Sequence, residues 1–262
     1  MEALFLQELR FSVLPFPKYG GGLEQSVVIV VAHAFEARAA VGVGRGMARK
    51  PWGPWTLYRG EMWDLPFAVI RCGPGKAAAA AAAQAAVQYF DPLVLVSFGA
   101  AGTPDLEVPL GSLTVATSVV DAALNQVQDL PVEIRTRFEP DGGFLEELLR
   151  VPGTGASTLV CWEGHVASPG NRPRVALTEQ MIAVDWESAG VARVAESWGV
   201  PWGALKVISD HGESVRLKSL AVVARRPLQW GAEAIRRACD SFVKGGESRR
   251  EATRSKETHH ED

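Results

Sequence analysis

Residues 66–98, PFAVIRCGPGKAAAAAAAQAAVQYFDPLVLVSF, decide the fold class of this chain. The stretch contains the apolar run Pro66–Arg71, a Gly-rich turn, the alanine-rich run Lys76–Phe90 and a second apolar run, Leu93–Phe98. Alanine has the highest helix propensity, and the Asp-Pro pair that follows ends the helix because a residue before proline avoids the helical conformation. A strand, a helix and a strand within about 30 residues form a βαβ unit, which predicts two parallel strands.

Further strand-like and helix-like runs extend this pattern in both directions. Ser26–Ala32 is a continuous apolar run rich in valine, which is typical of a strand buried on both faces. A Trp-Gly-Pro-Trp turn at residues 52–55 predicts a hairpin. The other predicted elements are strands at Leu113–Thr117, Thr158–Cys161 and Ala204–Ile208, and helices at Met181–Trp198 and Val222–Val243. We therefore predict an α/β fold with a mixed central sheet.

The composition excludes several classes of protein. The 262 residues are 47% hydrophobic, which is enough for one large core. With 27 Lys+Arg against 30 Asp+Glu, the net charge of -3 argues against a nucleic-acid partner, because phosphate binding needs a basic surplus. No apolar run has the roughly 20 residues of a membrane-spanning helix. The three widely spaced cysteines and the absence of a basic N-terminal region favour a cytoplasmic protein without disulfides.

Both ends of the chain differ in composition from its centre. Residues 1–24 end in two prolines and a Gly-Gly-Gly triplet, which predicts a flexible lead-in. Residues 246–262 are almost all polar or charged and cannot bury enough surface to offset chain entropy, so we expect a disordered tail. The folded domain predicted between them covers residues 25–245.

Three acidic side chains stand where the chain leaves a predicted strand or enters a predicted helix. Glu36 follows the first strand, Glu187 stands at the start of a helical stretch in AVDWESAGVA, and Asp210 ends the strand KVISD. Ligands of open α/β sheets bind beyond the carboxyl ends of the strands, and the GAAG loop at residues 99–102 follows such a strand. Taken singly, Asp210 could be a helix N-cap and Glu187 a first-turn acid favoured by the helix dipole. Together the three predict an active site.

In chain order these segments resemble the nucleoside phosphorylase/nucleosidase superfamily, most closely the nucleosidase branch that includes 5′-methylthioadenosine/S-adenosylhomocysteine nucleosidase. The matching segments, over about residues 25 to 215, are VVIVVAHAFEARAA, AVIRCGPGKAAAAAAA, PLVLVSFGAAGTPDLEVPLGSLTVAT, IAVDWESAGVARVAESWGVPW and ALKVISD. The resemblance implies a three-layer α/β/α fold, and it implies that the domain at 25–245 cleaves the N-ribosidic bond of a 5′-substituted adenosine-type nucleoside without a metal or other cofactor. AFEARAA, HVASP and VDWES look most like the hopanoid-biosynthesis-associated branch, thought to remove adenine from adenosylhopane.

The resemblance also implies a role for each acidic residue. Asp210 matches the family's SD aspartate and would be the general acid that protonates N7 of the purine, so it must keep its proton near neutral pH, which burial favours. Ser209 would orient that carboxyl group or the base. Glu36 would hold and deprotonate the attacking water. Glu187 would accept hydrogen bonds from the ribose 2′- and 3′-hydroxyls.

Other positions of the implied site depart from the family's pattern. Trp186 stands where the family has a methionine, and it either reshapes the ribose pocket or packs in the core. Asp185 replaces a glutamate. The backbone of Ala100 and Gly102 would allow close approach of the substrate, and Val166 would offer backbone groups to the base in a loop that lacks an aromatic residue for stacking.

The nucleophile is open between water and phosphate. Phosphorolytic relatives place an arginine two residues before the glycine loop and a serine within it, and these positions are Ser97 and Ala100 here. This departure favours water, although Arg38, Arg71 and Arg216 remain candidate cations.

The resemblance also predicts a partner subunit. Relatives of the nucleosidase type are dimers in which the neighbour closes the pocket, so we expect a homodimer. A nucleoside-binding protein without chemistry is the remaining alternative, and the three retained acids argue against it.

Overall fold

The computed structural model describes residues 25–125, 136–164, 182–212 and 221–257. The strands of these residues are β1 (Ser26–Val31), β2 (Arg45–Trp52), β3 (Trp55–Met62), β4 (Leu65–Arg71), β5 (Pro92–Gly102), β6 (Leu113–Asp121), β7 (Arg137–Phe138), β8 (Thr154–Cys161), β9 (Ile182–Asp185) and β10 (Trp202–Asp210). The helices are α1 (Ala34–Val41), α2 (Lys76–Phe90), α3 (Ala122–Asn125), α4 (Gly142–Leu149), α5 (Ser188–Trp198) and α6 (Arg225–Glu257).

Strand β5 is the centre of a mixed sheet. It runs parallel to β1 on one side and to β10 on the other. Beyond β1 the sheet continues through parallel β4 and then antiparallel β3 and β2. Beyond β10 it continues through antiparallel β6 and then parallel β8 and β9, and Val184 of β9 pairs back with Gly102 of β5. The ends of β1, β5 and β10 therefore lie side by side at one edge.

Helices cover both faces of the sheet and give three layers. On one face α2 packs against α5, and the small side chains of α2 that face inward are buried, which allows a close approach. On the other face α1, α4 and α6 pack over β1, β5 and β10, with Leu228 and Ile235 of α6 fully buried. The predicted three-layer α/β/α fold with a mixed central sheet is confirmed.

The local predictions have mixed outcomes. The predicted βαβ unit is β4–α2–β5, with β1 between its two parallel strands and α2 at the predicted bounds. The hairpin at Trp52 and Trp55 is also present. The single helix predicted over Met181–Trp198 is wrong, because Ile182–Asp185 form β9 and the helix begins at Ser188. Four residues are too few to show whether apolar side chains follow helix or strand periodicity. Residues 182–185 form a strand because they pair with β8.

The last helix extends beyond its predicted end. α6 reaches Glu257 and so includes part of the segment 246–262, for which we expected a disordered tail. The Glu, Arg, Lys and Ala residues of this segment have high helix propensity, so a polar composition does not exclude a helix. The lead-in 1–24 lies outside the described residues, and the domain limits stay predictions. Within the described residues, we find no helix with the length and apolar character needed to cross a membrane.

Candidate active site

Glu36 lies in the first turn of α1, directly beyond the end of β1, and is 3% exposed. The backbone N–H groups of Ala32 and His33 donate to its Oε2 at 3.0 and 2.7 Å, and the N–H of Ala100 donates to its Oε1 at 2.9 Å. This arrangement suits a carboxylate, whose two oxygens only accept hydrogen bonds. The backbone at the start of α1 and the end of β5 therefore fix the position of Glu36.

Residues 99–102, which we predicted as a loop after a strand, are the last residues of β5, because they pair with β10. They lie between Glu36 and Asp210 and fit tightly against both. A Cβ atom on Gly99 would lie 2.6 Å from Oε1 of Glu36, and one on Gly102 would lie 2.7 Å from Oδ1 of Asp210. Both distances are shorter than van der Waals contact, so a larger residue at either position would displace the neighbouring carboxyl group. The N–H of Ala100 is taken by Glu36. A substrate contact by Ala100 or Gly102 stays a prediction.

Asp210 ends β10 on the other side of residues 99–102 and is partly buried. Its Oδ1 accepts a hydrogen bond from the N–H of Gly212 at 2.8 Å, and its Oδ2 lies 2.7 Å from Oγ of Ser209. Oγ of Ser209 is also 3.2 Å from the carbonyl oxygen of Ala101. The hydroxyl has one hydrogen for these two acceptors, so when it donates to Ala101, a protonated Asp210 can donate to Oγ. The Ser209 hydroxyl and the Gly212 N–H both contact the carboxyl group, and the roles of Asp210 as general acid and Ser209 as orienting residue stay predictions.

Glu187 is the N-cap residue of α5 rather than a first-turn residue. Its Oε1 accepts a hydrogen bond at 2.8 Å from the N–H of Gly75, in the turn before α2. Burial and then the nearby Asp185 raise the pKa of Glu187 to about 7, while Lys206 and the Gly75 N–H act in the opposite direction. Near neutral pH the side chain therefore exchanges between its acid and carboxylate forms.

A second carboxylate lies at the N-terminus of α2. Oε1 of Glu163 accepts a hydrogen bond from the N–H of Lys76 at 2.7 Å. The N-terminus of a helix favours negative charge, so this contact is explained by capping alone. Glu163 is exposed, which separates it from the buried acids of the site.

The sequence did not predict a buried ion pair, formed by Lys206 and Asp185, that lies among the acidic residues of the site. Nζ of Lys206 lies 2.9 Å from Oδ2 of Asp185 and 3.0 Å from Oγ of Ser97. The N–H and hydroxyl of Ser188 also donate to Asp185, at 3.0 and 2.6 Å. Among the buried residues that the structure describes, Lys206 is the only lysine or arginine. The signal that could have found it is a lysine inside the apolar strand ALKVIS, because a buried cation needs an acidic partner.

The remaining predicted positions are only partly placed. Trp186 is 36% exposed, so core packing does not explain it, and its contact with a ribose pocket stays a prediction. Val166 and Arg216 lie outside the described residues. Arg71 donates to Oγ1 of Thr56 at 2.8 Å, and Arg38 is exposed on α1. The described part of the chain contains no group of three His, Cys, Asp or Glu side chains that could hold a metal ion.

Comparison with known protein families and sequences gives matches over most of the chain. The model of the phosphorylase superfamily matches residues 26–239. The 5′-methylthioadenosine/S-adenosylhomocysteine nucleosidase of Actinobacillus succinogenes is 25% identical over 197 residues, which are 71% of this chain and 85% of that protein. The enzyme of the same name from Desulfotalea psychrophila is 26% identical over 177 residues, 60% of this chain and 72% of that protein.

Solved structures with the same fold come from Helicobacter pylori. Its 5′-methylthioadenosine/S-adenosylhomocysteine nucleosidase, crystallised with butyl-thio-DADMe-Immucillin-A, superposes with a TM-score of 0.73 at 20% identity, over 83% of this chain and 99% of that chain. Its futalosine hydrolase superposes with a TM-score of 0.73 at 20% identity, over 83% of this chain and 98% of that chain.

Proposed function

Because this chain belongs to the phosphorylase superfamily, we propose that it hydrolyses the N-ribosidic bond of a 5′-substituted adenosine-type nucleoside and releases the base. The observation that carries the proposal is the placement of Glu36 and Asp210 on either side of residues 99–102, at the end of β5. One of the two is held as a hydrogen-bond acceptor, and the other has a hydroxyl partner that accommodates its proton. Cleavage of a glycosidic bond uses this pairing of a basic and an acidic carboxyl group.

The two carboxyl groups act at opposite ends of the bond that breaks. Asp210 donates its proton to N7 of the purine as the bond to the sugar lengthens, and the hydroxyl of Ser209 holds the carboxyl group in place. Glu36 orients a water molecule and takes its proton when the water attacks the oxocarbenium-like sugar. Glu187 accepts hydrogen bonds from the ribose 2′- and 3′-hydroxyls, which fixes the sugar and stabilises its positive charge.

The contacts around Glu36 favour water over phosphate as the nucleophile. The Ala100 N–H is occupied by the Glu36 carboxylate, whose charge would repel a phosphate dianion. The hydroxyl of Ser97 bonds to Lys206, and Lys206 is held in an ion pair by Asp185. Among the described residues, no buried cation without an acidic partner is therefore left to bind a phosphate beside residues 99–102.

A panel of nucleosides, each incubated with and without phosphate, tests the proposed reaction. The panel contains 5′-methylthioadenosine, S-adenosylhomocysteine, futalosine, adenosylhopane and inosine. We expect adenine and a free ribose product from at least one 5′-substituted adenosine in phosphate-free buffer, measured by chromatography. Turnover that depends on phosphate and yields a ribose 1-phosphate would instead select a phosphorylase. Tight nucleoside binding without product would identify a non-catalytic binding protein.

The pH dependence of kcat/KM tests the role of Glu187. Burial and Asp185 raise the pKa of Glu187 to about 7, so its carboxylate, the form that accepts from both ribose hydroxyls, predominates above that pH. We expect kcat/KM to fall by about tenfold per pH unit below pH 7 and to level off above it. In Glu187→Gln this acidic limb should disappear, whereas it should remain in Glu163→Gln. If kcat/KM of Glu187→Gln still falls below pH 7, the titrating group is a residue other than Glu187.

We further propose that the catalytic unit, residues 25–245, acts as a cytoplasmic homodimer without a nucleic-acid partner. The cytoplasmic assignment is supported by Cys72, Cys161 and Cys239, which are all buried and free. The net charge of -3 supports the absence of a nucleic-acid partner. The finer substrate proposal, a 5′-substituent of hopanoid type, rests on the segments AFEARAA, HVASP and VDWES, and adenosylhopane in the panel tests it.

A further inference from the structure

The candidate site contains one buried ammonium group in electrostatic reach of three carboxyl groups. Burial alone would lower the pKa of Lys206, but the charges of Asp185, Glu187 and Glu36 raise it above its ordinary value. Lys206 is 2% exposed and lies four residues before Asp210 on the same strand. We propose that Lys206 is a positioning residue: it holds Asp185 in place and supplies positive charge that favours the carboxylate form of Glu187, the form that accepts from both ribose hydroxyls. This inference rests on the proposed function of Glu187.

The geometry connects Lys206 to Glu187 through a short turn. Nζ of Lys206 contacts Oδ2 of Asp185 at 2.9 Å, and the two oxygens of Asp185 accept hydrogen bonds from the N–H and hydroxyl of Ser188. Glu187 lies between the residues that this clamp joins, at the N-cap of α5. Ser97 on β5 holds the ammonium group from another strand at 3.0 Å. The ion pair therefore fixes the backbone on both sides of Glu187.

The charges around Glu187 come from several elements of the fold. The groups that act on it are Asp185 of β9, Lys206 of β10, Glu36 of α1 and the N–H of Gly75 before α2. The thiol of Cys72, after β4, is also in electrostatic reach of Glu187. The other lysine nearby, Lys76, bonds both oxygens of Asp121 at 2.8 and 2.9 Å and is not among the main groups that shift the pKa of Glu187. Lys206 is therefore the cation that offsets the repulsion between the carboxylates.

The two members of the ion pair act on Glu187 in opposite directions. Asp185 raises the pKa of Glu187 and Lys206 lowers it. Without the ammonium group, Glu187 would face only negative charges and would keep its proton at higher pH. Without the Asp185 charge, it would face an unpaired ammonium group and would lose its proton at lower pH. If Lys206 and Asp185 only packed in the core, their removal would not shift the pKa of Glu187 in opposite directions.

The test compares the acidic limb of kcat/KM in Lys206→Met, Asp185→Asn and Lys206→Arg, with the best substrate of the panel. We expect the limb to move by about one pH unit or more to higher pH in Lys206→Met, and to lower pH in Asp185→Asn. Lys206→Arg keeps the charge, so its limb should stay near that of the wild-type protein. The matched control Lys76→Met removes a lysine that is already paired with Asp121, and it should leave the limb in place.

A second measurement does not depend on turnover. The carboxyl ¹³C resonance of Glu187, assigned with Glu187→Gln in glutamate-labelled protein, reports its protonation directly, and circular dichroism reports the fold. The proposal is supported if the titration of Glu187 shifts in opposite directions in Lys206→Met and Asp185→Asn. This result would hold even if no nucleoside were cleaved, because the absence of cleavage would contradict only the proposed function. Shifts in the same direction, or none, in folded Lys206→Met and Asp185→Asn would overturn the role of Lys206.

Discussion

Replacing Asp210 by asparagine is expected to lower kcat about 1,000-fold and to leave the fold intact. A general acid contributes about 10²–10⁴-fold to a rate, and asparagine has the same shape but no proton to give. A loss of this size corresponds to about 4 kcal/mol of transition-state stabilisation. The amide oxygen can still accept from the Gly212 N–H or from the Ser209 hydroxyl, which now hold Asp210 at 2.8 and 2.7 Å. The release of base, followed by chromatography across substrate concentrations, gives kcat and KM.

Asp105→Asn is a matched control for this substitution. Oδ1 of Asp105 accepts from the N–H of Glu107 at 2.9 Å, so it makes the same contact two residues along the chain that Oδ1 of Asp210 makes with Gly212. Asp105→Asn should therefore keep wild-type activity. A riboside with a 4-nitrophenolate leaving group, which departs without protonation, should lose far less rate in Asp210→Asn than adenosine substrates do. The acid assignment fails if Asp210→Asn keeps more than about a tenth of the wild-type kcat on adenosine substrates.

The fold was predictable where its determinants are local. The alanine run of α2, the Asp-Pro pair that ends it and the valine-rich runs of β1 and β5 each encode their own structure through propensity and continuous hydrophobicity. Strand β9 was not predictable, because its four residues become a strand only by pairing with β8 and with Gly102 of β5. The pairing partners lie far from it in sequence, and a single sequence does not reveal them.

The candidate site follows the same division between local and distant determinants. Glu36 and Asp210 were predictable because each lies at or just beyond the end of a strand that the sequence shows clearly: Asp210 is the last residue of β10, and Glu36 lies in the first turn of the helix that follows β1. The hydrogen bond from Ala100 to Glu36 was not predictable, because it depends on how the end of β5 meets α1, and these two segments are far apart in sequence. Lys206 was also missed, since the meaning of a buried lysine depends on a carboxylate that a different strand supplies.

Replacing Glu36 by glutamine is expected to lower kcat about 1,000-fold and also to destabilise the protein. The activity falls because the amide cannot take a proton from water. The stability falls because three N–H groups donate to Glu36, two to Oε2 and one to Oε1. If the amide oxygen takes the Oε2 position, the amide NH₂ group faces the N–H of Ala100, and a buried donor is left without an acceptor, at a cost of about 1–3 kcal/mol. Denaturant unfolding and the rate of base release measure the two effects separately.

Glu163→Gln is the matched control for both effects. Glu163 is exposed and makes one described contact with a backbone N–H, that of Lys76, which the amide oxygen of glutamine can accept equally well. We expect wild-type kcat and wild-type unfolding free energy in this variant. Glu36→Gln is assayed under conditions in which its unfolding curve shows that the protein is folded. A loss of kcat under these conditions reports on the chemical step and not on unfolding. Wild-type kcat in Glu36→Gln would remove Glu36 as the base, since no amide can accept the proton of the attacking water.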